Sequence, residues 1–267
     1  MRPLSEYPAS DLASVSHVLT DIDDTMTTDG RMPSASLRAM EELEAIGVQI
    51  IPVTGRPAGW CDHIARMWPV AAVVGENGAL YFSYDRSARE MRTWYARADK
   101  AAADRKALGL LAEKVLREVP GSALASDQPY RLTDLAVDFC EDVPRLDEVA
   151  VGRIVDILKA GGATTKISSI HVNAWFGQHD KLTTSLKCLQ DLFDMDETKA
   201  QATVIFSGDS PNDEPMFKYF RNSVGVANVR NFSLRHPPRW ITKNRSGDGF
   251  AEMAFAILDA KRNQRNG

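Results

Sequence analysis

Short apolar runs alternate with longer amphipathic segments in the first third of the chain. The runs 15–20, 48–53 and 70–75 predict buried strands. Apolar residues recur at helical spacing from Pro33 to Ile46 and from about Ala58 to Met67, which predicts two helices between the strands. The resulting β-α-β-α-β order favours a parallel sheet with helices on both faces.

The same alternation returns near the end of the chain. A helix over about 180–193 precedes a strand over 203–208, and a further helix leads to a strand over 223–228. The run 239–242 is interpreted as a last edge strand, and a helix over 249–262 closes the pattern.

The middle of the chain has a different pattern. It predicts helices over about 99–118 and 146–160, a loop over 120–129, and strands with alternating polarity over 135–142 and 166–176. Alternation is typical of a sheet with one open face. We therefore predict an α/β fold: a doubly wound, Rossmann-like parallel-sheet core formed by residues 1–83 and 178–267, with an α+β cap inserted over 84–177.

Composition narrows the function classes. The 267 residues carry 32 basic and 36 acidic side chains, a net charge of −4, so nucleic acid is not an expected partner. Three cysteines lie far apart without a CxxC pair, which fits a reducing compartment and gives no zinc pattern. We see no signal peptide and no membrane span, and we expect a cytoplasmic protein.

The densest chemical signal directly follows the first predicted strand. Asp21, Asp23 and Asp24 place three carboxylates within four residues. Such like charges repel one another unless a cation neutralises them. The competing interpretation is a solvated acidic turn that caps a helix.

Two other predicted strands also end in polar residues. The second strand ends in Thr54-Gly55-Arg56, where a hydroxyl and free amides could bind an anion. The strand at 203–208 is followed by Asp209, Asn212 and Asp213. Oxygen ligands at one edge of a parallel sheet suit Mg²⁺, with a structural calcium site as the alternative. Carboxylates, a metal and anion-binding amides together indicate phosphoryl transfer. The chain contains neither a P-loop motif nor GxGxxG.

These residues resemble the motifs of the haloacid dehalogenase superfamily of phosphatases. The similarity is greatest to its subfamily IIB, the Cof-like and sugar-phosphatase branch with a large α/β cap. The run 21–25 resembles the first motif, DxDxT, and 208–213 the fourth, GDxxND, while Thr54 and Lys181 match the second and third. The runs 75–79 and 247–249 resemble two further recurring elements of the branch.

The resemblance implies a role for each matched residue. Asp21 would be the nucleophile that forms an aspartyl-phosphate, and Asp23 would be the general acid and then the base. Lys181 and Thr54, together with Gly55 and Asn212, would bind the phosphoryl group. The residues implied to hold Mg²⁺ are Asp21, Asp23 (through its carbonyl), Asp209 and Asp213.

Other polar residues are open to more than one interpretation. Asp24 could support the metal site or cap the loop, and Arg56 could contact phosphate or pair with an acidic neighbour. In this branch the cap supplies most substrate contacts. The candidate contacts on the predicted cap strands are Asp138, His171, Asn173 and Trp175.

The expected function is that of a Mg²⁺-dependent phosphatase for a small phosphorylated metabolite, a sugar phosphate in the first instance. The expected assembly is a monomer or a weak homodimer. One alternative is a phosphomutase of the same branch, which would need a strongly basic cap. The other is a non-catalytic protein that binds a phosphorylated ligand on the same fold. The presence of Asp21, Asp23 and Lys181 favours the enzyme.

Overall fold

A six-stranded parallel sheet forms the centre of the computed structural model, which describes residues 1–168 and 170–266. Its order is β1-β13-β12-β11-β2-β3. The strands are β1 (Arg2–Pro3), β2 (His17–Thr20), β3 (Gln49–Pro52), β11 (Val204–Gly208), β12 (Asn222–Gly225) and β13 (Trp240–Ile241). All are paired in parallel, so their carboxyl ends share one edge.

Helices cover both faces of this sheet, which confirms the predicted doubly wound α/β fold. One apolar cluster joins the sheet to α1 (Ala9–Ser14), α2 (Ser34–Ala45), α3 (Ala58–Met67) and α9 (Ser246–Asn266). A second cluster joins the opposite face to α6 (Lys181–Phe193), α7 (Glu197–Thr203) and α8 (Glu214–Tyr219). The burial of strand side chains on both faces explains why their sequences are continuous apolar runs.

An antiparallel hairpin that the sequence pattern did not predict extends this region. The strands β4 (Val73–Gly75), β5 (Leu80–Asp85) and β6 (Glu90–Tyr95) form a three-stranded sheet, which a parallel bridge between Val53 and Val74 connects to β3. The hairpin β5–β6 crosses the boundary predicted at 83/84, which stays a prediction.

A four-stranded antiparallel sheet and two helices occupy the middle of the chain. The sheet order is β7-β8-β10-β9, with β7 (Ala123–Leu124), β8 (Leu135–Asp138), β9 (Thr164–Ile167) and β10 (His171–Trp175). The helices α4 (Ala101–Glu118) and α5 (Glu148–Ala160) pack on one face through an apolar cluster. The predicted loop over 120–129 therefore contains the short strand β7.

Two expectations about this sheet were wrong. The run 166–176 is two strands, β9 and β10, rather than one; residue 169 between them lies outside the described residues. The strands β8 and β10 are buried along their whole length, not half exposed. Val137 and Val172 face the helices, whereas the alternate residues His171 and Asn173 face the carboxyl edge of the parallel sheet. The polar face is therefore covered by the core and not by solvent.

The predicted edge strand at 239–242 is also corrected. The strand β13 lies between β12 and β1, so the two residues of β1 form the edge. The amide of Arg2 donates to the Arg239 carbonyl at 2.9 Å. A two-residue strand is too short for hydrophobic periodicity to reveal it.

No helix within residues 1–168 and 170–266 is long and apolar enough to cross a membrane. Cys61 and Cys188 are fully buried in α3 and α6, as expected of small core residues.

The buried histidine of β2 predicts a pH-dependent stability. Burial lowers the pKa of His17 from 6.5 to about 4. Between these values the unfolded chain binds a proton that the folded chain does not, so stability is complete above 6.5 and falls as the pH drops toward 4. The unfolding free energy of the unaltered protein should therefore decrease between about pH 7 and about pH 5. We expect this decrease to be smaller in His17→Asn, by up to about 2 kcal/mol.

Urea denaturation at the two pH values measures this loss. The substitution keeps an acceptor for the Ser16 hydroxyl, which lies 2.8 Å from Nδ1 of His17. His63→Asn, at an exposed position of α3, is the control. An equal pH dependence in both variants would contradict the assignment.

Candidate active site

The first acidic residue lies where the strand β2, which is paired between β11 and β3, ends. Asp21 follows β2, and its amide donates to the Ser207 carbonyl of the adjacent strand β11 at 2.9 Å. Ser207 also donates through its hydroxyl to Oγ1 of Thr20 at 2.7 Å. Buried hydrogen bonds between neighbouring strand ends thus fix the backbone from which the Asp21 carboxylate projects.

The loop after β11 places two more carboxylates beside Asp21. Oδ2 of Asp213 accepts hydrogen bonds from the amides of Asp209 at 3.0 Å and Ser210 at 3.3 Å, which folds the loop back on itself. A Cβ on Gly208 would lie 2.5 Å from that oxygen. Only glycine therefore permits this fold of the loop.

A buried lysine joins the two loops. Lys181 is the first residue of α6, where the side chains of Asp180 and Thr183 form a reciprocal capping box. Its Nζ donates to Oδ1 of Asp21 at 2.6 Å and to Oδ1 of Asp213 at 3.0 Å. Both contacts are charge-assisted hydrogen bonds between groups removed from water.

The carboxylates of Asp21, Asp209 and Asp213 form a compact acidic cluster. Oxygens of the three lie within 4.8 Å of one another, and all three residues are buried. Burial raises the pKa of Asp21 well above its usual value, although Lys181 opposes the shift. Burial and the neighbouring Asp213 raise the pKa of Asp209 to about 7. One lysine does not offset three crowded carboxylates, so the donor set fits a hard divalent cation.

Asp23 lines the same cavity as Asp21 but pairs with Arg56. Nη2 of Arg56 is 2.8 Å from Oδ1 of Asp23, and its Nε is 3.1 Å from both carboxylate oxygens. The guanidinium also lies over the ring of Trp60, 4.5 Å from the ring centroid. Of the two interpretations of Arg56, the structure therefore shows the acidic pairing. Its partner is the residue predicted to act as acid and base.

The turn after β3 lies beside the acidic cluster. Thr54 is fully buried, and its Oγ1 accepts a hydrogen bond from the Arg56 amide at 3.0 Å. Both Gly55 and Asn212 line the same cavity as Asp21. The structure therefore brings the predicted phosphate-binding residues to the sheet edge that carries the carboxylates.

Asn228 was not predicted from the sequence. Its Nδ2 donates to the Asp24 carbonyl at 2.9 Å and to Oδ2 of Asp209 at 3.0 Å, and its Oδ1 accepts from the Ser246 amide at 2.9 Å. It thereby joins both acidic loops to the start of α9, where the 247–249 element lies. A polar residue just beyond β12, at the same sheet edge, was the available signal.

A cavity of about 590 Å³ opens between the strand ends and the polar face of the four-stranded sheet. Two of the four candidate cap contacts, His171 and Asn173, line it. Asp138 and Trp175 are not among its lining residues. The Asp138 carboxylate accepts hydrogen bonds from three successive backbone amides, those of residues 140–142, at 2.7–2.8 Å. This turn places Glu141 in the cavity wall, 2.8 Å from Nε2 of His171.

Comparison with known proteins agrees with this geometry. The haloacid dehalogenase-like hydrolase family matches residues 18–101. The chain is 26% identical over 246 residues to a phosphoglycolate phosphatase of Methanobrevibacter smithii, covering 90% of this chain and 97% of the relative.

Several solved structures have the same fold as this chain over nearly its whole length. A Thermoplasma acidophilum protein has a TM-score of 0.68 at 15% identity, covering 91% of this chain and 98% of its own. The C-terminal domain of the C. albicans trehalose-6-phosphate phosphatase has a TM-score of 0.70 at 12% identity, covering 97% and 99%. The expected resemblance to haloacid dehalogenase-like hydrolases and the expected phosphatase class are confirmed by these similarities.

The backbone beneath Lys181 yields a prediction. Gly78 has a φ of +97°, and a Cβ there would lie 2.1 Å from the Asp180 carbonyl oxygen at the start of α6. We expect Gly78→Ala to lower the unfolding free energy by at least about 2 kcal/mol, because both the backbone and the helix must shift. Chemical denaturation measures the change.

Gly109→Ala is the matched control, since a Cβ in the middle of α4 would meet no atom within 4 Å. We expect it to stabilise the protein by about 0.5–1 kcal/mol. Equal effects at the two positions would show that the contact with α6 imposes no constraint.

Proposed function

We propose that this chain hydrolyses phosphate monoesters of small metabolites, with sugar phosphates as the substrate class, through an aspartyl-phosphate on Asp21. The observation that carries the proposal is the contact of Asp21 with Lys181 inside the buried acidic cluster. In-line phosphoryl transfer requires a nucleophile, here the Asp21 carboxylate, beside a fixed positive charge, here the Lys181 ammonium group. It also requires a place for a metal ion, which the acidic cluster would supply.

Mg²⁺ is the proposed cofactor. The carboxylates of Asp21, Asp209 and Asp213 would hold it together with the Asp23 carbonyl, since hard oxygen ligands suit this ion. When bound, Mg²⁺ neutralises phosphate charge and brings the reacting oxygens together.

The residues around the cluster have complementary proposed tasks. Asp21 attacks phosphorus and the ester oxygen leaves, after which water attacks the aspartyl-phosphate and releases inorganic phosphate. Lys181 balances the charge on the transferred group. Thr54, the Gly55 amide and Asn212 donate hydrogen bonds to its oxygens.

Asp23 is the proposed acid and base, and Arg56 orients it. The guanidinium of Arg56 fixes the direction of the Asp23 carboxylate. Asp23 donates a proton to the leaving alcohol in the first step and takes a proton from water in the second.

Residues 84–177 are the proposed cap, and residues 1–83 and 178–267 the proposed core. An apolar cluster whose buried members all lie between Leu108 and Ala174 supports the division, because this unit has its own interior. The cap would exclude water from the phosphoryl group and select the leaving group.

The cavity lining favours a hydroxylated leaving group. His171, Asn173 and Glu141 offer hydrogen-bonding groups to hydroxyls. The arginines in the wall, Arg56 and Arg131, are already paired with aspartates. Because relatives are named phosphoglycolate phosphatase, 2-phosphoglycolate is the second candidate substrate. A panel of phosphate esters assayed for released phosphate distinguishes the two, and a phosphorylated isomer as product would indicate a mutase.

Replacing the nucleophile tests the central assignment. We expect Asp21→Asn to reduce phosphate release from p-nitrophenyl phosphate by at least about 10³-fold, because the amide cannot form the phosphoenzyme. Removing divalent cations by chelation should abolish the activity, and Mg²⁺ should restore it. Asp62→Asn, in an exposed ion pair of α3, is the control. Activity retained by Asp21→Asn would refute the mechanism.

The acid–base assignment makes a separate prediction. We expect Asp23→Asn to lower kcat/KM, which reports the step in which the ester oxygen leaves, by about 10²–10⁴-fold for a sugar phosphate but much less for p-nitrophenyl phosphate. The nitrophenolate leaves without a proton, whereas a sugar alkoxide does not. Steady-state kinetics of the variant with both substrates measure the difference. Equal losses with the two esters would contradict a proton-donor role.

A further inference from the structure

The carbonyl groups of the turn Thr54-Gly55-Arg56 are all held by hydrogen bonds. The Thr54 carbonyl accepts from the Asn77 amide at 3.1 Å, and the Arg56 carbonyl accepts from the Glu76 amide at 3.1 Å. The Gly55 carbonyl accepts from Nη1 of Arg131 at 3.0 Å. Two of the donors are core backbone, whereas the third is a side chain from the proposed cap.

Arg131 is committed to protein acceptors. It is 3% exposed, and its Nε and Nη2 donate to the two carboxylate oxygens of Asp127 at 2.9 and 3.1 Å. Its Nη1 donates to Asp134 at 2.9 Å in addition to the Gly55 carbonyl. The guanidinium is therefore aimed at the turn by two carboxylates, and its planar geometry suits this bridging.

A buried carboxylate fastens the residues that follow Arg131 to the core. Glu76 is fully buried, and its carboxylate accepts from the amides of Leu132 at 2.8 Å, Thr133 at 2.7 Å and Asp134 at 3.2 Å, as well as from the Thr133 hydroxyl. The amide of Ala58, at the start of α3, donates to the same carboxylate at 2.8 Å. The hydrogen bonds of residues 132–134 to Glu76 thus hold the chain that directly follows Arg131.

The contact with Gly55 determines how Thr54 can bind a ligand. The Gly55 carbonyl and the Arg56 amide belong to one peptide group, and that amide donates to Oγ1 of Thr54 at 3.0 Å. With its oxygen accepting this hydrogen bond, the Thr54 hydroxyl keeps its own proton for a phosphoryl oxygen. Arg131 therefore contacts the same peptide group whose amide orients the Thr54 hydroxyl.

We propose that Arg131 is a positioning residue: the guanidinium of the cap completes the phosphate-binding turn of the core. The phosphoryl site is then complete only when the cap segment 131–134 is bound to the core through the hydrogen bonds of its amides to the Glu76 carboxylate. This inference rests on the proposed function of the turn. Its consequence is that cap docking controls the chemical step itself, and not only the choice of leaving group.

Kinetics of Arg131→Ala with p-nitrophenyl phosphate and a sugar phosphate test the proposal. We expect kcat to fall by about 10–100-fold with both esters, because orientation of the transferred group is lost. Arg131→Lys, which can reach only part of the acceptor set, should be intermediate. Added guanidinium ion should raise the kcat of Arg131→Ala, whereas added urea should not. The control is Arg153→Ala, which removes an exposed cap arginine paired with Glu118.

Two outcomes would overturn the proposal. A kcat within about twofold of the unaltered protein for both esters would show that the turn does not need Arg131. A rise in KM for the sugar phosphate alone, with p-nitrophenyl phosphate hydrolysis unchanged, would make Arg131 a contact of the leaving group instead.

A second variant and a second readout keep the test decisive. If Arg131→Ala does not fold, Asp127→Asn weakens the hold on the guanidinium while keeping its charge, and the same fall in kcat is expected. Binding of inorganic phosphate, measured by calorimetry, should weaken in both variants. If the unaltered protein hydrolyses neither ester, the proposed function fails, and the phosphate affinities alone then decide whether Arg131 orders the turn.

Discussion

The central constraint on the structure is that three buried carboxylates lie close together at the carboxyl edge of the parallel sheet. Burial and mutual repulsion disfavour the ionised forms of Asp21 and Asp209, and Lys181 opposes this by contacting Asp21 and Asp213 together. A buried charge is tolerated only when its partners are fixed. Three features of the surrounding backbone hold these partners in place. They are the capping box at the start of α6, the close approach of Gly78 to the same helix end, and the lack of a Cβ at Gly208.

The segment from Glu76 to Gly78 connects the parts of the site. Three successive residues have positive φ, although two of them are not glycine, and such strain persists only where surrounding contacts hold it. The amides of Glu76 and Asn77 hold the turn 54–56, and the Gly78 carbonyl accepts from the Thr184 hydroxyl of α6 at 2.5 Å. The Glu76 carboxylate holds residues 132–134. The turn 54–56, the helix that begins with Lys181 and residues 132–134 therefore share one support.

The polar face of the four-stranded sheet explains both a wrong prediction and the character of the cavity. Alternation along β8 and β10 indicated a face open to water, but the carboxyl edge of the parallel sheet covers that face. The polar residues are buried because they surround a cavity. Glu141 enters the cavity wall through a turn organised by Asp138, so the acidic residue of the wall lies in the turn after β8 and not on the strand.

Local pattern in the sequence determined the core elements and the motif positions. Apolar runs and helical spacing depend on neighbours a few residues apart, which is why β2, α2, β3 and α3 were found within a few residues of their bounds. The acidic motif residues were also visible, because each follows a predicted strand. Only the tertiary structure showed Arg56 paired with Asp23, Asn228 joining two loops, Arg131 contacting the Gly55 carbonyl and Glu76 holding the amide of Leu132. Their partners lie between 19 and 204 residues away along the chain, a separation at which sequence periodicity carries no information.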